Sequence, residues 1–181
     1  MDRVNLAAVR TMVQTAKDSI VTQAAGVGRE PRVFLHWSAG HYGQPFADYH
    51  LNIDQQGEIY SEGNLTLVLA HTWHQNTGAI GVAMLCCAFA TPADLGKEPP
   101  TDAQIETMAQ IVAVLCQELD LPCDYDHVRT HAEQADIDGY GPTTTCERWD
   151  GWFWKTGEQP GTGGDIIRGK AIWYQLNGIG V

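Results

Sequence analysis

The chain has 181 residues, 44% hydrophobic and 18% charged, a balance that suits one globular domain with a core of real size. Its net charge is −11, from 22 acidic and 11 basic side chains, which argues against a nucleic-acid partner and against adsorption to anionic membranes. The longest apolar run, residues 79–90, falls well short of the roughly 20 residues that span a bilayer, so no integral membrane association is expected.

Residues 5–24 read as an amphipathic helix, with Leu6, Val9, Val13, Ala16 and Ile20 on one stripe and Gly26 and Gly28 ending it. Charges interrupt the apolar positions of this segment, so it does not read as a signal peptide, and synthesis in a cytoplasm is expected. After Pro31, residues 32–37 read as a buried strand that ends on His36 and Trp37. A loop rich in Gly and Pro follows. Residues 49–60 read as a hairpin, in which Tyr49, Leu51 and Ile53 alternate with polar partners and Gln55-Gln56-Gly57 turns the chain. A second buried strand is expected at 79–87.

The clearest helix is 101–119, opened by a Thr101/Gln104 capping box, buried along Ile105, Met108, Val112, Leu115 and Leu119, and stopped by Pro122. Residues 127–131 read as a short strand ending at His131, and a last short helix is expected at 165–176. Strands alternating with helices, with one hairpin between, predict an α/β fold: a single domain with a central mixed β-sheet flanked by α-helices. Its parts are an N-terminal helix (1–30), a core (31–155) and a C-terminal extension (156–181). The five cysteines include an adjacent pair and no CxxC, which predicts reduced thiols, with Cys86 and Cys116 in the core.

Of seven histidines, His36 and His131 sit at the predicted C-terminal ends of strands, the edge where α/β sheets bind ligands. Asp150 or Cys146 offers a third donor. Two imidazoles and one carboxylate leave a zinc position open for water, and zinc lowers the pKa of that water to about 7. The plainer alternative is a strand-end histidine bonded to a backbone carbonyl. A rigid strand suits a metal ligand, and the small residues Ser38, Ala39 and Gly40 leave room beside it. Four of six tryptophans fall between Trp149 and Trp173 and suggest either a stacking wall or helix packing.

Five stretches carry a sharper signal in combination: VFLHWSAG (33–40), YHLNIDQQGEIY (49–60), AHTWHQNTGAIGV (70–82), RTHAE (129–133) and ERWDGW (147–152). In that order, over residues 31–155, they resemble the zinc-dependent N-acetylmuramoyl-L-alanine amidases related to peptidoglycan recognition proteins, the phage endolysin type in particular. The resemblance implies zinc on His36, His131 and Asp150, the aspartate being preferred to Cys146 because it stands two residues after the basic Arg148. It implies a catalytic Tyr49 beside the metal and Arg148, where the family usually has lysine, helping to carry an oxyanion. Some relatives place a general-base glutamate where this chain has Ala83, which favours the tyrosine arrangement. Glu133, the carboxylate nearest a ligand, either joins the catalytic group or caps a loop. His71 and Asn76 are expected to line the substrate groove, His50 to pack beneath the site and His74 to be structural, with no role for His41 or His127. The implied activity is cleavage of the amide between N-acetylmuramic acid and L-alanine by zinc-activated water. The expected protein is a monomeric bacteriophage endolysin, made in the host cytoplasm and acting on cell-wall peptidoglycan after release. A non-catalytic peptidoglycan-binding module and a muramyl-peptide recycling amidase are the alternatives.

Overall fold

The run Arg32–Trp37 forms β2, and five of its six residues are buried, as expected of a strand covered on both faces. The computed structural model describes residues 1–178. In chain order the other elements are β1 (Asp2–Val4), α1 (Leu6–Gly26), β3 (Leu51–Ile53), β4 (Ile59–Ser61), β5 (Ala79–Met84), α2 (Asp102–Glu118), β6 (Val128–Thr130), α3 (His131–Asp138) and α4 (Gly163–Asn177). The six strands form one mixed sheet in the order β1-β4-β3-β5-β2-β6, so the chain is a single α/β domain.

Four neighbouring strands, β3, β5, β2 and β6, run parallel, and the β3–β4 hairpin adds antiparallel strands at one side. The parallel register positions the site. His36 lies opposite Ala83 on β5, and Leu35 lies opposite Thr130, the last residue of β6. The residue that follows each member of the Leu35–Thr130 pair is therefore a histidine, His36 on β2 and His131 just past the end of β6, at the same sheet edge.

Helix α1 buries Val9, Val13, Ala16 and Ile20, with Leu6 half-buried, and Asn5 caps it by accepting from the Ala8 amide. Helix α2 starts with the Thr101/Gln104 capping box intact. Its buried stripe is wider than one face, taking in Ile111, Ala113 and Val114, because α1, α4 and the sheet all flank it. Gln104 buries its amide and donates to the carbonyls of Ile53 and Leu85, tying the helix start to the sheet.

Several expectations change. Strand β5 stops at Met84, three residues early, and Cys87 has a left-handed φ of 68° that a continuing strand does not adopt. Strand β1 pairs antiparallel with β4, and its three residues, Asp2 and Arg3 exposed and Val4 half-buried, are too few to show a periodicity. His131 opens a helix and does not end a strand, because Thr130 and Glu133 form a second capping box. Cys86 and Cys116 are buried, and all five cysteines are free thiols. Among the described residues no helix is long and apolar enough to cross a membrane. Residues 179–181 of the expected C-terminal extension lie outside the described residues.

Candidate metal centre

Three chain segments converge at the edge where β2 and β6 end. His36 is fully buried on β2, His131 is the first residue of α3, and Asp150 arrives on the loop that follows. The Asp150 carbonyl accepts the Ala132 amide at 3.0 Å, so the first turn of α3 anchors that loop. The Asp150 carboxylate faces both imidazoles. Oδ2 lies 2.8 Å from His36 Nδ1, and Oδ1 lies 3.0 Å from His131 Nδ1. One ligand atom from each residue falls within 4.8 Å of the others.

The protonation states suit a cation. Burial pushes the Asp150 carboxyl up, but His131 and then His36 outweigh it and hold the group below the usual carboxylate range. Burial lowers the pKa of His36, which favours a neutral ring. Each imidazole has a hydroxyl near its far nitrogen: Thr72 Oγ1 is 3.4 Å from His36 Nε2, and Tyr140 Oη is 3.4 Å from His131 Nε2. If each ring is assigned its hydrogen at Nε2, as the two hydroxyls permit, both Nδ1 lone pairs face the carboxylate. A divalent cation relieves that opposition, and a two-nitrogen, one-carboxylate set is one that zinc accepts with a position left open. The residues present therefore fit the metal.

A cleft of about 1010 Å³ opens over this group. Tyr49 lines it from the turn before β3, its ring 5.0 Å from that of His36. Burial, with help from Asp150 and Asp48, raises its phenol pKa, so Tyr49 stays protonated and serves as a donor. His71 and Asn76 both line the cleft. His71 Nδ1 meets Thr72 Oγ1 at 3.0 Å, its Nε2 is buried without a partner, and Asn76 accepts the Thr72 amide at 2.8 Å. Arg148 stands exposed at the mouth and donates to the Glu147 carbonyl. His50 packs beneath the site, accepting the Gly81 amide at Nδ1 and donating from Nε2 to the Leu67 carbonyl. His74 borders the cleft against Trp73, while His41 pairs with Glu98, and His127 with Asp124 and Glu30. Ala83 is buried opposite His36, with no carboxylate at that place.

The structure also places Glu133 and the tryptophans. Glu133 does not line the cleft: one oxygen caps Thr130, and both bind Arg168, an arrangement that matches the capping alternative. The stacking wall is not C-terminal. Trp154 is fully buried with its Nε1 donating to the Gly163 carbonyl, Trp152 packs on the core, and Trp173 is on α4. Trp149 alone of those four borders the cleft, joined from elsewhere by Trp37 and the exposed Trp73. Cys146 stands outside the ligand group, at a left-handed φ of 58°.

Sequence reasoning missed Tyr140. It follows Gly139, the left-handed C-cap of α3, and its hydroxyl pKa is pushed up to about 12, first by burial and then by Asp138 and Asp150. It also missed Trp73 and Thr72. The Gly-Tyr pair after a capped helix was the one signal that pointed to Tyr140.

Against known proteins, the family model described as N-acetylmuramoyl-L-alanine amidase matches residues 11–149. The fold is similar to three solved structures. The endolysin N-acetylmuramoyl-L-alanine amidase LysCS from Clostridium intestinale URNW is 17% identical, covering 56% of this chain and 68% of its own, with a TM-score of 0.44. Drosophila PGRP-LB is 15% identical, covering 65% of this chain and 84% of its own, with a TM-score of 0.41. PGRP-Hd from Alvinella pompejana is 19% identical, covering 57% and 72%, with a TM-score of 0.39. No curated protein matches the chain.

Proposed function

Because the chain belongs to the N-acetylmuramoyl-L-alanine amidase family, we propose that it is a zinc-dependent peptidoglycan amidase whose metal is held by His36, His131 and Asp150. The observation that carries this reading is the buried convergence of two imidazoles and one carboxylate within 4.8 Å, with His131 and Asp150 lining an open cleft and His36 beneath them. Zinc bound there supplies an activated water and a polarised carbonyl at neutral pH.

The chain's own groups do the rest. The cleft admits the N-acetylmuramyl-peptide and seats its lactyl carbonyl over the ligand triad, with Trp73 and Tyr140 as an edge-to-face aromatic pair at 5.8 Å on one side. The protonated phenol of Tyr49 donates to the carbonyl oxygen as negative charge builds there. Arg148 at the mouth adds positive charge to the same region. A water adds through its oxygen to the lactyl carbonyl carbon, the C–N bond breaks, the amine of L-alanine leaves with the two protons the water gives up, and the lactyl group remains as a carboxylate. The finer role follows the five ordered motifs and Ala83: an endolysin of bacteriophage type, working as a monomer on the wall after release from the cell that made it.

His36→Ala is the first variant to make. It is expected to stay folded by circular dichroism while losing both zinc and turnover of peptidoglycan. Full activity in that variant overturns the proposal. Wild-type protein that binds sacculi without cutting them points to a recognition module instead.

A further inference from the structure

Arg168 lies on α4, beyond the stretch matched by the family model. Its guanidinium is buried; it lies over the Tyr125 ring at 5.4 Å and pairs with Asp165 on its own helix, and its remaining bonds reach β6 and the start of α3. Nη1 donates to the Val128 carbonyl at 2.8 Å and to Glu133 Oε2 at 2.9 Å. Nη2 donates to Glu133 Oε1 at 2.8 Å and to Asp165 Oδ1 at 2.6 Å. The Glu133 carboxylate in turn accepts the Thr130 amide at 2.8 Å, closing the turn whose first residue is His131.

Three glycines let these segments interlock. A Cβ at Gly164 would run into the Glu133 carboxylate, and one at Gly163 into the Gly151 carbonyl. Gly151, next to Asp150, holds φ at 80° and lies so close to Thr130 that a Cβ would stand 2.6 Å from the threonine Cβ. The Ala132–Asp150 backbone bond closes the ring. Residues 130–133, 150–151 and 163–168 are thus one packed unit that carries two of the three metal donors.

We infer that Arg168 is a positioning residue of the metal centre, holding His131 and Asp150 in register from the C-terminal helix through Glu133. A buried ion pair contributes little net stability compared with apolar packing of the same shape. Its geometric use here is to fix the start of α3 in rotation and in height. This inference rests on the metal reading above.

The test compares zinc affinity, measured by competition with a chromophoric chelator, with steady-state turnover of peptidoglycan. Arg168→Met keeps the side-chain bulk and removes the fork. Glu133→Gln keeps an oxygen for the Thr130 amide and removes the charge. Each is expected to weaken zinc binding by about 10- to 100-fold and to lower kcat with KM held within about twofold. The double variant should lose no more than either single one, because the two residues act as a unit. Arg168→Lys should recover part of the loss. Lys170→Met, which breaks the surface pair with Glu106 on the same helix, should leave zinc affinity unchanged. Wild type that takes up no zinc overturns the metal reading and this inference together. Wild type that binds zinc one to one, with Arg168→Met and Glu133→Gln binding equally tightly, overturns this inference alone. If Arg168→Met does not fold, Glu133→Gln decides by the same readouts.

Discussion

Gly81→Ala tests whether the cleft floor is as tightly set as its geometry indicates. Gly81 sits in the middle of β5 with an ordinary strand backbone, so alanine meets no conformational strain there. The obstacle is lateral. An added Cβ would stand 2.7 Å from His71 Cγ and 2.8 Å from its Cδ2. Ordinary carbon contact begins near 3.5 Å, so the ring must move by about 0.8 Å. Retreat is blocked by the rings of Phe34, His36 and His50, with centroids 6.0, 5.4 and 5.6 Å away. The motion left is toward the cleft, and it carries Thr72, which links His71 to His36 Nε2. Overpacking of this kind costs about 1–3 kcal/mol of stability. A displacement near 1 Å beside the reacting group costs up to about 100-fold in rate. Urea unfolding and initial rates on solubilised peptidoglycan measure the two effects. A variant with wild-type midpoint and wild-type kcat would refute this account of why glycine stands beneath His71.

Asp150→Asn should abolish stoichiometric zinc binding, whereas Cys146→Ser should leave it intact; a thiol-dependent site would reverse the pair, and metal analysis of the dialysed proteins reads the answer. Tyr49→Phe should fold normally and bind zinc, yet lose about 100-fold in kcat through the missing donor; an unchanged kcat would remove Tyr49 from the mechanism. In the metal-free protein, burial lowers the pKa of His50 and His71 below 6.5. The unfolded chain therefore takes up protons first, so their contribution is full above about pH 6.5 and is lost as the pH falls below it. Thermal unfolding in chelator should show Tm dropping from pH 7.5 to 5, and a flat profile would contradict the buried neutral rings.

The parts legible in the sequence were those with local causes. Residues 32–37 read as a strand because Val33, Phe34 and Leu35 run together between Pro31 and a Gly-rich loop, and β2 has those bounds. The long helix read well because its cap, stripe and terminating proline agree. Helix α3 goes unread although Thr130 and Glu133 spell a capping box, because residues 127–131 read as a strand and the helix that follows is only eight residues long. The grouping of His36, His131 and Asp150 was only partly legible: the two histidines suggested it from their predicted strand ends, and the preference for Asp150 over Cys146 came from the family resemblance. Tyr140 and Trp73 were not, because they come from loops whose place in the cleft depends on packing between distant segments. The Glu133–Arg168 pair joins residues 35 apart, and nothing local in either stretch announces it.

The most direct test of the central claim is product analysis. Purified protein is incubated with peptidoglycan sacculi, with and without a chelator, and the soluble products are examined by mass spectrometry. The account predicts free stem peptides that begin in L-alanine, lost on chelation and restored by zinc. Products cut elsewhere in the polymer, or the same peptides released undiminished by the metal-free protein, would contradict it.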